Sequence, residues 1–173
     1  HSAYWQPLVD VLQTGFTVHR IDLPGHGKSP YNGEQTLDEF VERIMQTIDS
    51  VTQQAFHLVG WSLGGLMSQR LVQLYPHRVS RLLLVSSSPS FMRREGWPHA
   101  MREQVLNGFA DNLLEDYRAT LNRFLALQVY GSENQKQELR ELRNKLFSRG
   151  EPSALALQAG LSLLQTVDMR AGL

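Results

Sequence analysis

The sequence predicts an α/β fold: a parallel sheet flanked by helices, followed by an all-helical cap insertion. Strand and helix signals alternate through residues 1–90. Residues 81–86 (RLLLVS) are almost continuously apolar, as in a strand buried on both faces. Residues 91–165 carry helical periodicity and no strand pattern. This divides the chain into a partial core (1–90), a helical cap or lid (91–165) and the start of a return to the core (166–173).

Each element has a local reason. Trp5, Leu8, Val9 and Leu12 fall on one helical face. Residues 16–21 (FTVHRI) are rich in β-formers and read as a strand. A loop follows at Asp22-Leu23-Pro24-Gly25-His26-Gly27, by its proline and glycines. Thr36 and Glu39 have capping-box spacing. Leu37, Phe40, Val41, Ile44, Met45, Ile48 and Val51 then mark an apolar helical face. Residues 56–60 (FHLVG) read as a short strand, and residues 63–75 as a helix stopped by Pro76. In the cap, Phe109, Leu113, Tyr117, Leu121 and Leu125 predict one helix. Residues 134–146 predict a charged helix, and residues 153–164 a third.

Composition excludes several functions. The 173 residues carry 17 Lys+Arg against 17 Asp+Glu, and a neutral chain argues against a general nucleic-acid binder. With no cysteine there is no disulfide framework and no cysteine zinc site. No apolar run is long enough to span a membrane. The first ten residues, HSAYWQPLVD, lack the basic and apolar regions of a signal peptide, so the expected location is the cytoplasm. No histidine pair has metal-ligand spacing, so neither metal nor cofactor is expected. His1, His19, His77 and His99 have no partner spacing. His57 reads as structural and His26 as a loop residue near the surface.

Gly60-Trp61-Ser62-Leu63-Gly64 is a G-x-S-x-G with an apolar strand before it and an amphipathic helix after it. That context is the one a nucleophile elbow requires. A turn this tight puts Ser62 in strained backbone geometry, with Gly60 and Gly64 expected to avoid clashes. Gly65 lets the helix approach the sheet. Ser62 is then presented at the carboxyl edge of the sheet, where the helix N-terminus and the Leu63 N–H can stabilise an oxyanion. The same residues also suit an ordinary glycine-rich turn with a capping serine.

With Asp22-Leu23-Pro24-Gly25-His26-Gly27-Lys28-Ser29, the elbow resembles the α/β-hydrolase superfamily. A closer resemblance follows from Gly60-Trp61-Ser62-Leu63-Gly64-Gly65-Leu66, Ser87-Ser88-Pro89, Trp97-Pro98, Arg123-Phe124-Leu125-Ala126-Leu127-Gln128 and Thr166-Val167-Asp168-Met169-Arg170. These are similar to the BioH family, the pimeloyl-[acyl-carrier protein] methyl ester carboxylesterases of biotin synthesis. The resemblance implies Ser62 as nucleophile and Leu63 as an oxyanion donor. It implies Trp61, Phe124, Leu125, Ala126, Leu127 and Gln128 as substrate contacts, although spacing alone suits Phe124, Leu125 and Leu127 to packing within the cap. Serine at the nucleophile position disfavours dehalogenase and epoxide-hydrolase relatives, which use aspartate.

The family's substrate is tethered to an acidic acyl-carrier protein, and the resemblance implies Arg123, Lys136 and Arg140 as its contacts. Residues 118–149 hold Arg118, Arg123, Lys136, Arg140, Arg143, Lys145 and Arg149 against Glu133, Glu138 and Glu141. Lys136, Arg140 and Arg143 share one helical face, which suits either an acidic partner or plain solvation with pairs such as Glu141–Lys145.

The resemblance also implies parts this sequence does not contain. The superfamily order Ser…Asp/Glu…His places the acid and the base beyond Leu173, and Asp168 does not match the acid. The H-G-x-G loop is expected before His1. The isolated 173-residue chain, a monomer in this reading, is therefore expected to be inactive and poorly stable alone. Two other functions stay open: a general short-chain carboxylesterase, and a non-catalytic binding module of the same fold.

Overall fold

The computed structural model describes residues 2–147 and 150–172. His1, Arg149 and Leu173, which figure in the sequence reading, lie outside the described residues.

Helix α1 (Gln6–Leu12) follows a 3₁₀ turn at Ser2–Trp5 and has proline in its first turn. Helix α2 (Leu37–Asp49) begins at the expected capping box. The Thr36 hydroxyl accepts from the Glu39 N–H at 3.3 Å, and the Glu39 carboxylate accepts from the Thr36 N–H at 2.8 Å. The backbone N–H groups of Thr36 and Gln35, both donating to it, hold the Glu39 carboxyl below its ordinary pKa. Strand β1 (Phe56–Trp61), helix α3 (Leu63–Leu74) and strand β2 (Val79–Val85) form a parallel β-α-β unit. The register runs from His57 opposite Arg81 to Trp61 opposite Val85.

The main core lies between α2 and α3, around Phe40, Val41, Leu66, Met67 and Leu71. Arg70 ties the helices together through a two-pronged bond to Asp38, Nε to Oδ1 at 2.6 Å and Nη2 to Oδ2 at 2.9 Å. Four helices follow: α4 (Glu103–Glu115), α5 (Tyr117–Gln128), α6 (Gln135–Phe147) and α7 (Ala154–Thr166). Ala159 and Leu163 of α7 join the main core. Leu161 of α7 packs with Ala110 and Leu113 of α4 in a second cluster.

Four local expectations are corrected. Residues 16–21 form no strand, because a strand needs a ladder partner and this segment has none among the described residues. The Phe16 ring lies 6.0 Å from the His57 ring of β1, and Ile21 packs against the main core. The single cap helix is two, because Asp116 leaves helical geometry and its carboxylate caps α5 at the Ala119 N–H, 2.9 Å away. α2 ends before Val51, which is 51% exposed. β2 is not buried on both faces: Leu83 is 57% exposed and its neighbours Leu84 and Val85 over a third. α3 packs along β1 and β2, and no other helix packs as extensively on the sheet among the described residues. α1 buries none of its residues, so its apolar face has no deep packing.

Candidate active site

Ser62 occupies the turn between β1 and α3, with φ 52° and ψ −120°. A non-glycine residue there carries strain on the order of 1–3 kcal/mol. Four hydrogen bonds hold the turn. The Ser62 N–H donates to the Val85 carbonyl at 3.0 Å. The Ser62 carbonyl accepts from Gly65 N–H at 2.9 Å, Leu66 N–H at 3.1 Å and the Ser87 hydroxyl at 3.0 Å. The half-buried Ser62 hydroxyl has no hydrogen-bond partner among the described residues, nor has the Leu63 N–H. Both stand at the N-terminus of α3, where the helix dipole is positive.

The glycines explain how the turn closes. A Cβ on Gly60 would strike the Ser68 hydroxyl and lie 2.7 Å from Gly65 Cα. A Cβ on Gly65 would strike Ser87 Cβ and lie 2.5 Å from Ser87 Oγ. Gly64 is different: nothing lies within 4 Å of an added Cβ. The expectation that Gly64 relieves a clash is therefore corrected. Gly60 and Gly65 make the close approach of helix to strand.

Residues that the sequence reading missed brace the turn. The buried Gln69 amide donates to the carbonyls of Gly65 and Ser88, both at 3.3 Å. Ser86, just past β2, has φ 47°. The two non-glycine residues with positive φ among those described thus follow the carboxyl ends of the two parallel strands, the edge where ligands bind in open α/β sheets. The run Ser86-Ser87-Ser88 has no periodicity or turn signature from which this could be read.

Trp61 is half-buried, its ring 5.7 Å from that of Tyr4. Burial pushes the Tyr4 phenol above its ordinary pKa, helped by nearby Tyr117. The Tyr117 phenol is pushed up to about 12 by burial and by Glu151. In the loop before α2, His26 is half-buried, not at the surface, with Nδ1 3.0 Å from the Pro24 carbonyl. Burial lowers its pKa, against the opposing effect of that carbonyl. His57 is exposed on β1.

Residues of α5 and α6 form a second group. Arg123, Phe124 and Leu127 line an open cleft of about 260 Å³ with Phe109, Asn112 and Thr120. The Phe124 ring lies 5.8 Å from that of Phe109, and the Arg123 guanidinium donates to the Thr120 hydroxyl at 3.1 Å. Leu125 is buried, Ala126 half-buried, and Leu127 and Gln128 exposed. Lys136, Arg140 and Arg143 are exposed along α6. Arg118 is engaged elsewhere, bonded to Glu151 at 2.6 Å and stacked over Phe147. Helix α7 also approaches the start of α3: a Cβ on Gly160 would lie 2.9 Å from Leu63 Cδ2. No group of three or more His, Asp or Glu suited to a metal occurs among the described residues. No helix among them is long and apolar enough to cross a membrane.

Residues 1–163 match the sequence family described as alpha/beta hydrolase fold. The pimeloyl-[acyl-carrier protein] methyl ester esterase of Nitrosomonas europaea is 43% identical over 173 residues, which are 100% of this chain and 67% of that protein. The protein of the same name from Aeromonas hydrophila is 40% identical, over 98% of this chain and 66% of its own length. The chain thus spans about two thirds of the length of the curated relatives it matches. Among solved structures, an esterase from Exiguobacterium antarcticum superposes with a TM-score of 0.86 at 20% identity, covering 99% of this chain and 64% of that one. A bromoperoxidase from Bacillus anthracis gives 0.83 at 20% identity, covering 98% and 63%. At that identity the superpositions speak for the fold alone.

Proposed function

The chain belongs to the α/β-hydrolase fold family, and we propose that its protein is a serine carboxylesterase acting on the methyl ester of pimeloyl-acyl-carrier protein in biotin biosynthesis. The observation that carries the reading is Ser62: a strained serine at a strand–helix turn, with its hydroxyl unbonded beside the free Leu63 N–H. The relatives at 43% and 40% identity bear the name of this esterase, which supports the choice of substrate.

In this mechanism Ser62 Oγ attacks the ester carbonyl carbon as a general base takes its proton. The negative oxygen of the tetrahedral intermediate is met by the Leu63 N–H and the positive end of α3. Collapse breaks the bond to the methoxy oxygen, which leaves as methanol with the proton from the base. Water then hydrolyses the acyl-serine, and the free pimeloyl carrier departs. The acid and base of the triad are assigned beyond residue 173, following the order Ser…Asp/Glu…His. Residues 1–90 are taken as partial core, 91–165 as the cap and 166–173 as the start of the return. Trp61, Phe124, Leu125, Ala126, Leu127 and Gln128 are assigned to the acyl chain, and Arg123, Lys136 and Arg140 to the acidic carrier. The protein is read as a cytoplasmic monomer with no nucleic-acid or membrane partner.

Hydrolysis of pimeloyl-carrier methyl ester by the full-length protein, set against a soluble short-chain ester, tests the reading. A kcat/KM clearly higher for the carrier-bound ester is expected. Equal values would favour a general carboxylesterase, and no turnover of either would favour a binding module.

A further inference from the structure

Two short motifs that the catalytic reading leaves unused, one around Trp97 and one around Asp168, meet in space although some seventy residues separate them. Asp168 accepts from Arg170 through both oxygens, at 2.8 Å each, and its Oδ2 lies 3.5 Å from Arg94 Nε. Arg94 also donates to the Gln165 and Thr166 carbonyls at the end of α7, at 3.4 and 2.9 Å, and to the Ser90 hydroxyl at 3.0 Å. Those carbonyls are among the last-turn acceptors that a helix cannot satisfy itself. Arg170 donates back to the Glu95 carbonyl at 2.7 Å, with its guanidinium 5.9 Å from the centre of the Trp97 ring. The Trp97 indole donates to the carbonyl of fully buried Ser90, and Met169 N–H to that of Pro89. The three charged side chains are each between 26% and 30% exposed.

These contacts join the segment leaving β2 to the segment leaving α7, the two strands of chain at the base of the four helices. We propose that Arg94, Trp97, Asp168 and Arg170 form a clasp that fixes how α4–α7 are set over the elbow, with Asp168 as its positioning residue. The geometry favours one orientation, because the planar guanidinium of Arg170 meets both carboxylate oxygens and Arg94 is held by four acceptors at once. Removing the Asp168 charge leaves the guanidinium groups of Arg94 and Arg170 beside the same neutral side chain, with no anion between them. The residues of the clasp touch neither Ser62 nor the cleft at Phe124, so it acts through the placement of the helices.

Hydrogen exchange on the full-length protein and its Asp168→Asn variant tests the clasp without reference to any activity. Exchange is expected to quicken roughly tenfold in residues 89–97 and 163–170, with β1 and α3 unchanged. Unchanged exchange in those two segments, or a uniform rise across the protein, would overturn the proposal. Arg170→Lys keeps the charge but loses the two-pronged bond, and a smaller rise in the same segments is expected if Asp168→Asn fails to fold. A second readout rests on the esterase reading. Asp168→Asn should raise KM for the carrier-bound ester roughly tenfold while kcat on a short soluble ester holds. Parallel loss on both esters would reduce Asp168 to a stabilising role. A parent protein that hydrolyses neither ester would sink the esterase reading and leave hydrogen exchange to decide the clasp.

Discussion

Gly64 and Gly65 are neighbours in one helix, yet alanine at the two sites is expected to act with opposite sign. At Gly65 the new Cβ would strike Ser87 Cβ, which is fixed to the backbone and cannot rotate away. It would also lie 2.5 Å from Ser87 Oγ, about 0.9 Å short of ordinary contact at 3.4 Å. α3 must therefore lift from the end of β2, which costs about 1–3 kcal/mol by the usual toll of overpacking. The lift also stretches the 3.0 Å bond from Ser87 to the Ser62 carbonyl. At Gly64 the Cβ enters open space, and alanine is the better helix former by about 0.8–1.0 kcal/mol. The two variants should thus differ by roughly 2–4 kcal/mol. With a urea slope of about 2 kcal/mol/M, their unfolding midpoints separate by about 1–2 M. Gly65→Ala should also slow labelling of Ser62 by a fluorophosphonate, and Gly64→Ala should not. Coincident midpoints, or a more stable Gly65→Ala, would refute the claim that close approach at Gly65 builds the turn.

Thr36→Ala removes half of the capping box and should lower stability by about 1 kcal/mol, read as a shift of the urea midpoint with unchanged slope. The Asp168 carboxyl is held at about 2, below its ordinary 3.8, chiefly by its bond to Arg170. A lowered pKa means the clasp's contribution is complete above the ordinary value and fades as pH falls through about 2. Exchange in residues 89–97, corrected for intrinsic rates, should hold steady from pH 7 to 5 and rise only below about 4; a rise centred near pH 6 would contradict the assignment. Lys136→Glu/Arg140→Glu should weaken binding of the acidic carrier roughly tenfold and flatten its salt dependence, while hydrolysis of an uncharged short ester stays as it was.

What could be read from the sequence was local. Thr36 and Glu39 announce α2 because the capping box uses only residues three apart. G-x-S-x-G announces the elbow because strand, turn and helix are contiguous. What could not be read depends on partners distant in sequence. The β-formers of residues 16–21 give strand propensity, but only a neighbouring strand makes a ladder. The apolar run of β2 suits burial on both faces, yet its exposure depends on which layers cover it. Gly64 and Gly65 look alike in sequence; they differ because Ser87, twenty-two residues on from Gly65, sits under only one of them. The break at Asp116 hides inside a spacing of four that runs through it, since an N-cap aspartate and a mid-helix aspartate are the same letter. Arg94 and Asp168 carry no signal of their meeting at all.

The central claim is that Ser62 is a working nucleophile. The direct test is to treat the full-length folded protein with a fluorophosphonate and map the adduct by mass spectrometry. If Ser62 is the nucleophile, one adduct is expected, on Ser62, absent in Ser62→Ala of unchanged fold. A folded protein that takes no label, or one whose label sits on another serine and survives Ser62→Ala, would contradict it.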